Sequence, residues 1–566
     1  MQNPDLLDVE RVEVLKGPQG ALYGRNSESG VINIVTRQPD NEQRGKVFCE
    51  YNSYDTEHGS APGHQVGGNF STPLVKDTLY LGVAGKYSYT DGFMKNKYDN
   101  DDKADKGEQF NGHMNLRWTP TQAWDVALIL DALDSDDGFS PFRNPQTTGR
   151  HVVNYNDEHD REQNGNTQAL RIKYQGDTID VLSVTGRNDF DDKVLADYDM
   201  TPMTILPSTQ KEEDTLYSQE FRISSSANSQ HPYSWLVGTY FFKEDIGTFF
   251  NMGTVKTTDI DIEGVALFGQ GTYTLFGKLH LTGGARYDYQ TMDGTQHCNN
   301  AEYDGDSSKG EFLPKLSIAY DLTDAAMVYA TVSKGYMSGG YNFTTATSKD
   351  TFMYGPEYSW NYEIGLKSSW LDNRLITNLS AFYIDMKDKQ VSEVDAVTLS
   401  ANTSNAAKAR SMGVELEVQA RPVRGWNIYG GIGYSNTKIK DWIATEFNSV
   451  YNGTVQYDYS GKKLPNAPSY TYNIGTQYMH ETGFYGRVDL LGTGAFYHDS
   501  KNTVREESYE LVNLRLGYMM NDFEIAFWCK NLFDKDYYTV HFAWGGMEGG
   551  FDSEPRQVGT TLTYRF

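Results

Sequence analysis

Residues 557–566 read QVGTTLTYRF, and this stretch decides the fold class because its side chains alternate with a period of two. Val558, Thr560, Leu562, Tyr564 and Phe566 share one face, on which most side chains are apolar. Successive side chains of a β-strand point to opposite faces of the sheet. An alternating strand that ends on an aromatic residue is typical of a transmembrane β-barrel and is rarer in a soluble protein.

The same alternation recurs along the chain, which predicts many further strands. It is clearest at residues 79–89, 110–118 and 375–383, and such segments run from about Gly45 to Phe566. Some are separated only by short turns. Longer polar stretches separate the others, at residues 96–107, 134–166, 297–310, 344–355 and 441–463. Short turns at one end and long loops at the other are typical of barrels that span an outer membrane.

The length of the chain fits a single all-β fold, a transmembrane antiparallel β-barrel. In a plugged barrel of 22 strands, the 522 residues from 45 to 566 would give roughly 24 residues to each strand and its connection. A membrane-spanning strand takes about 9–11 of them. No amphipathic helix is evident, which argues against a parallel α/β fold.

The composition permits a barrel but does not require one. Mean hydropathy is −0.61, and no run of about 18 apolar residues is present, which excludes a transmembrane helix. A barrel keeps such low hydropathy because only alternate residues meet lipid. The 40 Tyr, 27 Phe and 9 Trp suit strands and interfacial girdles. A soluble Tyr-rich β protein, either a binding protein or a glycan-active enzyme, is the alternative.

Several classes of chemistry are absent from the sequence. The three cysteines are scattered, which argues against a disulfide framework or a structural zinc site. A net charge of −26 argues against a nucleic-acid partner. There is no HExxH or GxSxG motif, and residues 271–278 only approach a phosphate-loop pattern. His297 and Cys298 lie in an acidic stretch that we interpret as solvated. We therefore predict no enzyme activity, no cofactor and no resident metal.

The N-terminal residues carry the most specific pattern. Val12 and Val14 suggest one strand, residues 31–35 suggest a second, and glycine-rich turns lie between them. This segment resembles the end of the plug domain of TonB-dependent receptors. The matching motifs there are ERVEV (10–14), KGP (16–18), LYG (22–24) and GVINI (30–34). The resemblance continues along the barrel in YSQEFR (217–222), FGQ (268–270), YATVSKGYMSGGYN (329–342), WNYEIGLK (360–367), GVELE (413–417) and KNLFD (530–534).

The resemblance implies that residues 1–42 are the C-terminal part of a plug domain and that residues 43–566 form the barrel. Most of the family's plug, its TonB-contacting segment and a signal peptide have no counterpart in this sequence. The first residues, MQNPDLLDVERVEV, lack a basic region followed by an apolar stretch. A fragment, a misplaced start and a truncated relative remain open, and the last would be a passive or non-functional barrel.

The resemblance also implies a function. A TonB-dependent receptor in the outer membrane of a Gram-negative cell takes up a scarce ligand, most often a ferric siderophore, and a TonB–ExbB–ExbD complex supplies the energy. Cobalamin, haem, a glycan or another metal chelate are the alternative ligands. The partners implied are outer-membrane lipid and lipopolysaccharide, and a monomer is expected.

In the family a basic residue before the plug's Gly-Pro pairs with glutamates of the barrel wall. The matching positions here are Lys16, Glu363 and Glu415. Lys16 replaces the more usual arginine, so a point charge takes the place of a bidentate fork. Inward carboxylates need such a partner where they are shielded from water. Three separately solvated charges are the alternative.

Aromatic and glycine-rich stretches are the candidate ligand surface. Residues 336–341 and 542–551 contain the side chains that could stack on a flat ligand, or that could instead serve as girdle or loop packing: Tyr336, Tyr341, Trp544, Met547 and Phe551. The acidic residues 99–105 could bridge divalent cations to lipopolysaccharide, although a solvated charge run is the simpler interpretation.

Overall fold

The computed structural model describes residues 7–138, 141–226, 228–229, 231–394, 401–448, 453–544 and 547–566. Within these residues, 22 antiparallel strands form one closed barrel. The prediction of an all-β barrel with about 22 strands is therefore confirmed. Its strands are Arg44–Thr56, Gly59–Val75, Leu79–Thr90, Gly107–Trp118, Trp124–Asp137, Asp160–Gln175, Ile179–Asp197, Pro207–Ser225, Tyr233–Asn251, Val255–Leu275, Leu279–Cys298, Ala301–Thr323, Ala326–Met337, Glu357–Trp370, Leu375–Val394, Ala401–Ala420, Trp426–Asp441, Tyr470–Met479, Phe484–Thr493, Tyr509–Met520, Phe523–Lys530 and Gln557–Arg565.

A seam between the first and last of these strands closes the barrel. Strand Arg44–Thr56 pairs antiparallel with strand Gln557–Arg565. Beyond that ladder, the Gly45 amide donates to the Phe566 carbonyl at 2.7 Å, and the Phe566 amide donates back at 3.0 Å. Closure removes the open edges that a flat sheet would expose.

The two faces of strand Gln557–Arg565 differ as the sequence pattern predicted. Val558 and Leu562 are 47% and 48% exposed, whereas Thr561 and Thr563 on the alternate face are each 8% exposed. Thr561 donates a hydrogen bond to Glu50 on the neighbouring strand. Apolar side chains on the outside and polar ones in the lumen are the arrangement that a bilayer requires of a barrel.

The connections are short at one end of the barrel, here called the turn side, and mostly longer at the other, the loop side. Exposed tryptophans lie on the turn side, namely Trp118, Trp124, Trp235, Trp370 and Trp426. One expected loop, at 297–310, is wrong: only residues 299 and 300 separate strand Leu279–Cys298 from strand Ala301–Thr323. These strands extend past the apolar band, where both faces are wet and polar side chains do not signal a loop.

The loops carry short strands of their own. Four are antiparallel pairs, and the pair formed by Lys95–Asn96 with Val152–Val153 is parallel. The antiparallel pairs are Gly340–Tyr341 with Met353–Tyr354, Ile443–Asn448 with Gly453–Asp458, Phe496–Tyr497 with Arg505–Glu506, and Tyr538–Trp544 with Met547–Asp552. Among the residues that the structure describes, the helices are Gly20–Tyr23 and Lys349–Phe352. In the described part of the chain, no helix has the length and apolar character to cross a membrane.

The N-terminal segment, residues 7–43, lies inside the barrel. The two strands that the sequence predicted here are Val9–Lys16 and Gly30–Thr36, and the structure pairs them antiparallel. Contacts from the segment reach separate parts of the wall, because Asp8 accepts a hydrogen bond from Asn69 and Arg25 pairs with Glu244, which lies seven strands further along the ring. The segment therefore crosses the lumen instead of lining one wall.

Candidate functional site

Residues 17–29 connect the two inner strands and approach the loop side of the barrel. Helix Gly20–Tyr23 packs there against the wall strands between Val255 and Met337. A Cβ atom at Gly20 would lie 2.7 Å from the Lys334 carbonyl oxygen, so only glycine permits this approach. Gly24 has φ +74°, a conformation that glycine adopts without strain. These glycines let the connection lie directly against the wall.

Two cavities adjoin this connection. One, of about 290 Å³, is lined by Arg25 of the connection together with wall residues such as Arg222 and Arg286. The other, of about 260 Å³, lies under the loop of residues 338–356. Gln290 and Tyr336 line both cavities, so the two spaces are neighbours. Together they form the candidate site.

Three arginines give the larger cavity its chemistry. Each is paired with one carboxylate: Arg25 with Glu244 at 2.7 Å, Arg222 with Glu220 at 2.6 Å, and Arg286 with Asp288. Aromatic rings support them, since Arg25 lies 4.0 Å from the centre of the Phe242 ring and Arg286 lies 5.1 Å from that of Phe268. A guanidinium has five N–H donors, so each arginine keeps donors to offer an anionic ligand.

Tyr336, one of the candidate ligand residues, lies between the two cavities. Its side chain is buried, its hydroxyl donates to Asp288 at 3.0 Å, and its carbonyl accepts from the Asn26 amide at 3.1 Å. Tyr336 thus contacts both the wall and the N-terminal segment. Movement of that segment would shift the position of Tyr336 at the two cavities.

Tyr341 is placed differently, inside the loop of residues 338–356. Its ring lies 4.9 Å from that of Phe352, and its hydroxyl donates to the Gly305 carbonyl at 2.8 Å. The loop is held by the buried Lys256 ammonium, which donates to the carbonyls of Thr344 and Ala346 at 2.7 and 2.8 Å. Tyr341 is 7% exposed, so it can reach a ligand only if this loop opens.

The remaining ligand candidates belong to the hairpin Tyr538–Trp544 and Met547–Asp552. The Phe551 ring lies 5.5 Å from Phe142, within an aromatic cluster between loops. The side chains of Trp544 and Met547 lie outside the described part of the structure. A buried ion pair between Arg143 and Asp552, at 2.7 Å, ties this hairpin to the loop of residues 138–159.

The charges at Lys16 form a contact between the segment and the wall. Lys16 Nζ lies 2.7 Å from Glu415 Oε2 and 2.6 Å from Glu417 Oε1. Glu363 instead accepts a hydrogen bond from the Tyr329 hydroxyl at 2.6 Å. The structure thus brings Lys16 to Glu415, leaves Glu363 aside and adds Glu417. Glu417 stands two residues after Glu415 and hence on the same strand face, a signal that the sequence did contain.

A second charged contact, absent from the sequence interpretation, lies near the loop side. Glu28 of the connection is 9% exposed and neighbours Glu357, which is 1% exposed. Lys389 pairs with Glu357 at 2.7 Å, and the Gln390 amide donates to the same carboxylate at 2.9 Å. Burial and, after it, the negative charge of Glu357 raise the pKa of Glu28 to about 8. Glu28 is therefore largely neutral at pH 7.

The acidic stretch 99–105 is used within its own loop. Asp102 pairs with Lys95 at 2.6 Å, and Asp105 accepts the amides of Phe93 and Met94. His297 pairs with Glu302 at 3.2 Å. Among the described residues, no three His, Cys, Asp or Glu side chains converge as a ready metal site.

Comparison with known families identifies the barrel. Residues 98–532 match the family model described as "TonB dependent receptor-like, beta-barrel". The chain belongs to the TonB-dependent receptor family. The members of this family are receptors, in agreement with the fold and with the resemblance seen in the sequence.

Individual relatives lie at moderate similarity. The pesticin receptor of Yersinia enterocolitica is 27% identical over 98% of this chain and 80% of its own length. The ferripyoverdine receptor of Pseudomonas aeruginosa is 23% identical over 94% of this chain and 68% of its own length. The solved structure of the ferric yersiniabactin uptake receptor of Yersinia pestis superposes with a TM-score of 0.87, at 24% identity, and covers 99% of this chain and 86% of that one.

Proposed function

We propose that this TonB-dependent receptor binds a ferric siderophore on the extracellular side of a Gram-negative outer membrane and takes it up into the periplasm. Two relatives support the ligand class, because their names refer to ferric yersiniabactin and ferripyoverdine. The loop side of the barrel is then extracellular. Residues 1–42 act as part of the plug, and residues 43–566 form the surrounding barrel.

The arrangement of Arg25, Arg222 and Arg286 around the larger cavity is the observation that carries this proposal. Iron chelators bind the metal through oxygen donors that are frequently anionic, and many contain flat rings. Guanidinium groups recognise anionic oxygens through several N–H donors and also stack on flat rings. Tyr240 and Tyr336 offer aromatic surface in the same cavity.

Uptake of this kind needs no covalent chemistry from the receptor. The outer membrane has no ATP, so a TonB–ExbB–ExbD complex supplies mechanical energy through the N-terminal region. The inner segment must then move, and its contacts with the wall set how easily it does so. Lipid and lipopolysaccharide surround the barrel, which acts as a monomer.

Growth of a receptor-deletion strain on single iron sources tests the proposal. The strain is complemented with the full-length gene, either unchanged or carrying R25A with R286A. We expect the unchanged gene to restore growth on one ferric siderophore and the double variant to need a higher concentration of it. R515A, at a wall arginine remote from the cavities, is the matched control and should behave as the unchanged gene.

Other outcomes identify the rival ligands or a passive barrel. Growth restored only by cobalamin, haem, a glycan or another metal chelate would reassign the ligand while leaving the receptor class intact. Restoration that persists without TonB would indicate a passive barrel. Equal growth of the double variant and the control would show that Arg25 and Arg286 do not bind the ligand.

A further inference from the structure

Two histidines from different loops lie close together on the loop side. His498 belongs to the loop after the short strand Phe496–Tyr497, and His541 belongs to the hairpin strand Tyr538–Trp544. Their ring centres lie 6.0 Å apart, and the ring planes are inclined by 67°. Neither histidine takes part in the arginine site described above, and neither stood out in the sequence.

The polar atoms of this pair lack the partners that buried groups normally have. The His498 side chain is 2% exposed, and neither of its ring nitrogens has a hydrogen-bond partner. Nε2 of His541 is likewise buried without one. Buried polar groups are nearly always hydrogen-bonded, so three such nitrogens in one place require an explanation.

One carboxylate, that of Glu506, lies beside the pair, and the positive charge of Arg143 also acts on His541. The Glu506 carboxylate lies 3.7 Å from His498 Nε2, and its Oε2 accepts the Tyr538 amide at 3.1 Å, which fixes its position. Neutral imidazole nitrogen is a strong ligand for divalent transition metals.

The spacing is close to what a shared ion requires. Zinc binds imidazole nitrogen at about 2.0–2.1 Å, which places the centres of two bound rings roughly 5–6 Å apart. The loop of His498 is well ordered by its own contacts, because Asp499 accepts the amides of Thr503 and Val504 at 2.8 Å each. Two imidazoles already held at this distance lose little freedom when an ion binds between them.

We propose that His498 and His541 bind one divalent transition-metal ion between two extracellular loops, with Glu506 supplying the nearby negative charge. Water or a chelator occupies the remaining coordination positions. The ion links the loop of residues 494–508 to the hairpin that Arg143 and Asp552 tie to a third loop. The site is separate from the proposed siderophore site and does not depend on it.

Calorimetric titration of the full chain in detergent, after treatment with EDTA, tests the site with Zn²⁺ as the probe. We expect one ion per chain, with affinity reduced at least tenfold in H498A and in H541A. H231A removes an exposed histidine that stacks on Tyr233 at the turn side, and it should bind as the unchanged protein. Heat-modifiable migration on a gel checks that each variant still forms the barrel.

A second readout identifies the ligands directly. With Cu²⁺ as the probe, the electron paramagnetic resonance spectrum should show coupling to imidazole nitrogen, and this coupling should disappear in H498A/H541A. Absence of Zn²⁺ binding by the unchanged protein at millimolar concentration would overturn the proposal. Binding that survives in the double variant would overturn it equally, because the ion would then lie elsewhere.

Discussion

Lys16 Nζ lies 2.7 Å from Glu415 Oε2, a contact between residues that stand 399 positions apart in the chain. It joins the inner segment to the barrel wall, and Glu417 completes the contact from the same strand. Both ends are partly exposed to the lumen, so the pair is worth less than a buried one. The contact of Lys16 with Glu415 and Glu417 therefore matters more for holding the inner segment in place than for the stability of the whole protein.

Replacement of Lys16 by glutamate should loosen this attachment. K16E sets a third carboxylate beside Glu415 and Glu417, so attraction becomes repulsion. We expect a severalfold rise in ion conductance in planar bilayers. K278E changes an exposed lysine of a turn-side connection and is the matched control. Unchanged conductance in K16E would rule out a role for this contact in holding the segment.

Because Glu28 is held neutral beside Glu357, we expect the attachment of the inner segment to the wall to depend on pH. Its pKa in the folded protein is raised from an ordinary value near 4.5 to about 8. The folded state therefore favours the protonated form. That stabilisation is complete below about pH 4.5 and is lost as the pH rises through 8. Conductance should increase between pH 7 and 9, when Glu28 ionises beside Glu357.

E28Q keeps a neutral side chain at every pH and should flatten this profile. The matched control is E42Q, which alters an exposed glutamate beside Arg44. If E28Q and the unchanged protein showed the same profile between pH 7 and 9, another group would be responsible for it.

Removal of Arg143 should release one extracellular loop from the hairpin Tyr538–Trp544 and Met547–Asp552. Arg143 and Asp552 are 8% and 6% exposed, and loss of one partner of a buried pair costs about 3–5 kcal/mol. We expect limited proteolysis to cut R143A within residues 141–159 much faster. R556A breaks the more exposed pair with Asp55 and should change cleavage little, since such a pair contributes about 1 kcal/mol or less.

Replacement of Lys256 by methionine should free the loop that covers Tyr341. The variant keeps the apolar stem but leaves the carbonyls of Thr344 and Ala346 without their donor. We expect faster amide hydrogen exchange across residues 340–355, measured by mass spectrometry. K76M, at an exposed turn-side lysine, should leave that exchange unchanged. Equal exchange in K256M would show that the other contacts of the loop, such as the hydrogen bond from Gln296 to the Phe343 carbonyl, hold it without Lys256.

The sequence predicted the barrel well because its signal is local. The alternation of residues 557–566 reports two faces directly, and no distant contact is needed to interpret it. The expected loop at 297–310 failed where the strands leave the apolar band and the alternation no longer has a physical cause. Local patterns thus describe the membrane-embedded wall better than its extensions.

The candidate site was less accessible to sequence reasoning. The family resemblance predicted that Lys16 would contact Glu415 and Glu363. Lys16 does contact Glu415, but Glu363 accepts a hydrogen bond from Tyr329 instead. The cluster of Glu28, Glu357 and Lys389 joins the inner segment to two consecutive strands of the wall, and nothing in the sequence around Glu28 signals these partners. Glu357 and Lys389 meet across two consecutive paired strands, but Glu28 joins them only when the inner segment lies inside the barrel.

The seam between strands Arg44–Thr56 and Gln557–Arg565 has a consequence for how the protein assembles. Elsewhere around the ring, each barrel strand pairs with the barrel strand that comes before or after it along the chain, so hairpins can form one after another. Among the pairings of barrel strands, only the seam joins residues about 500 positions apart. Its formation closes the ring in one step, and that step carries the entropy cost of closing so long a loop. Until then the curled sheet has two unsatisfied edges, which are open to pairing with other chains.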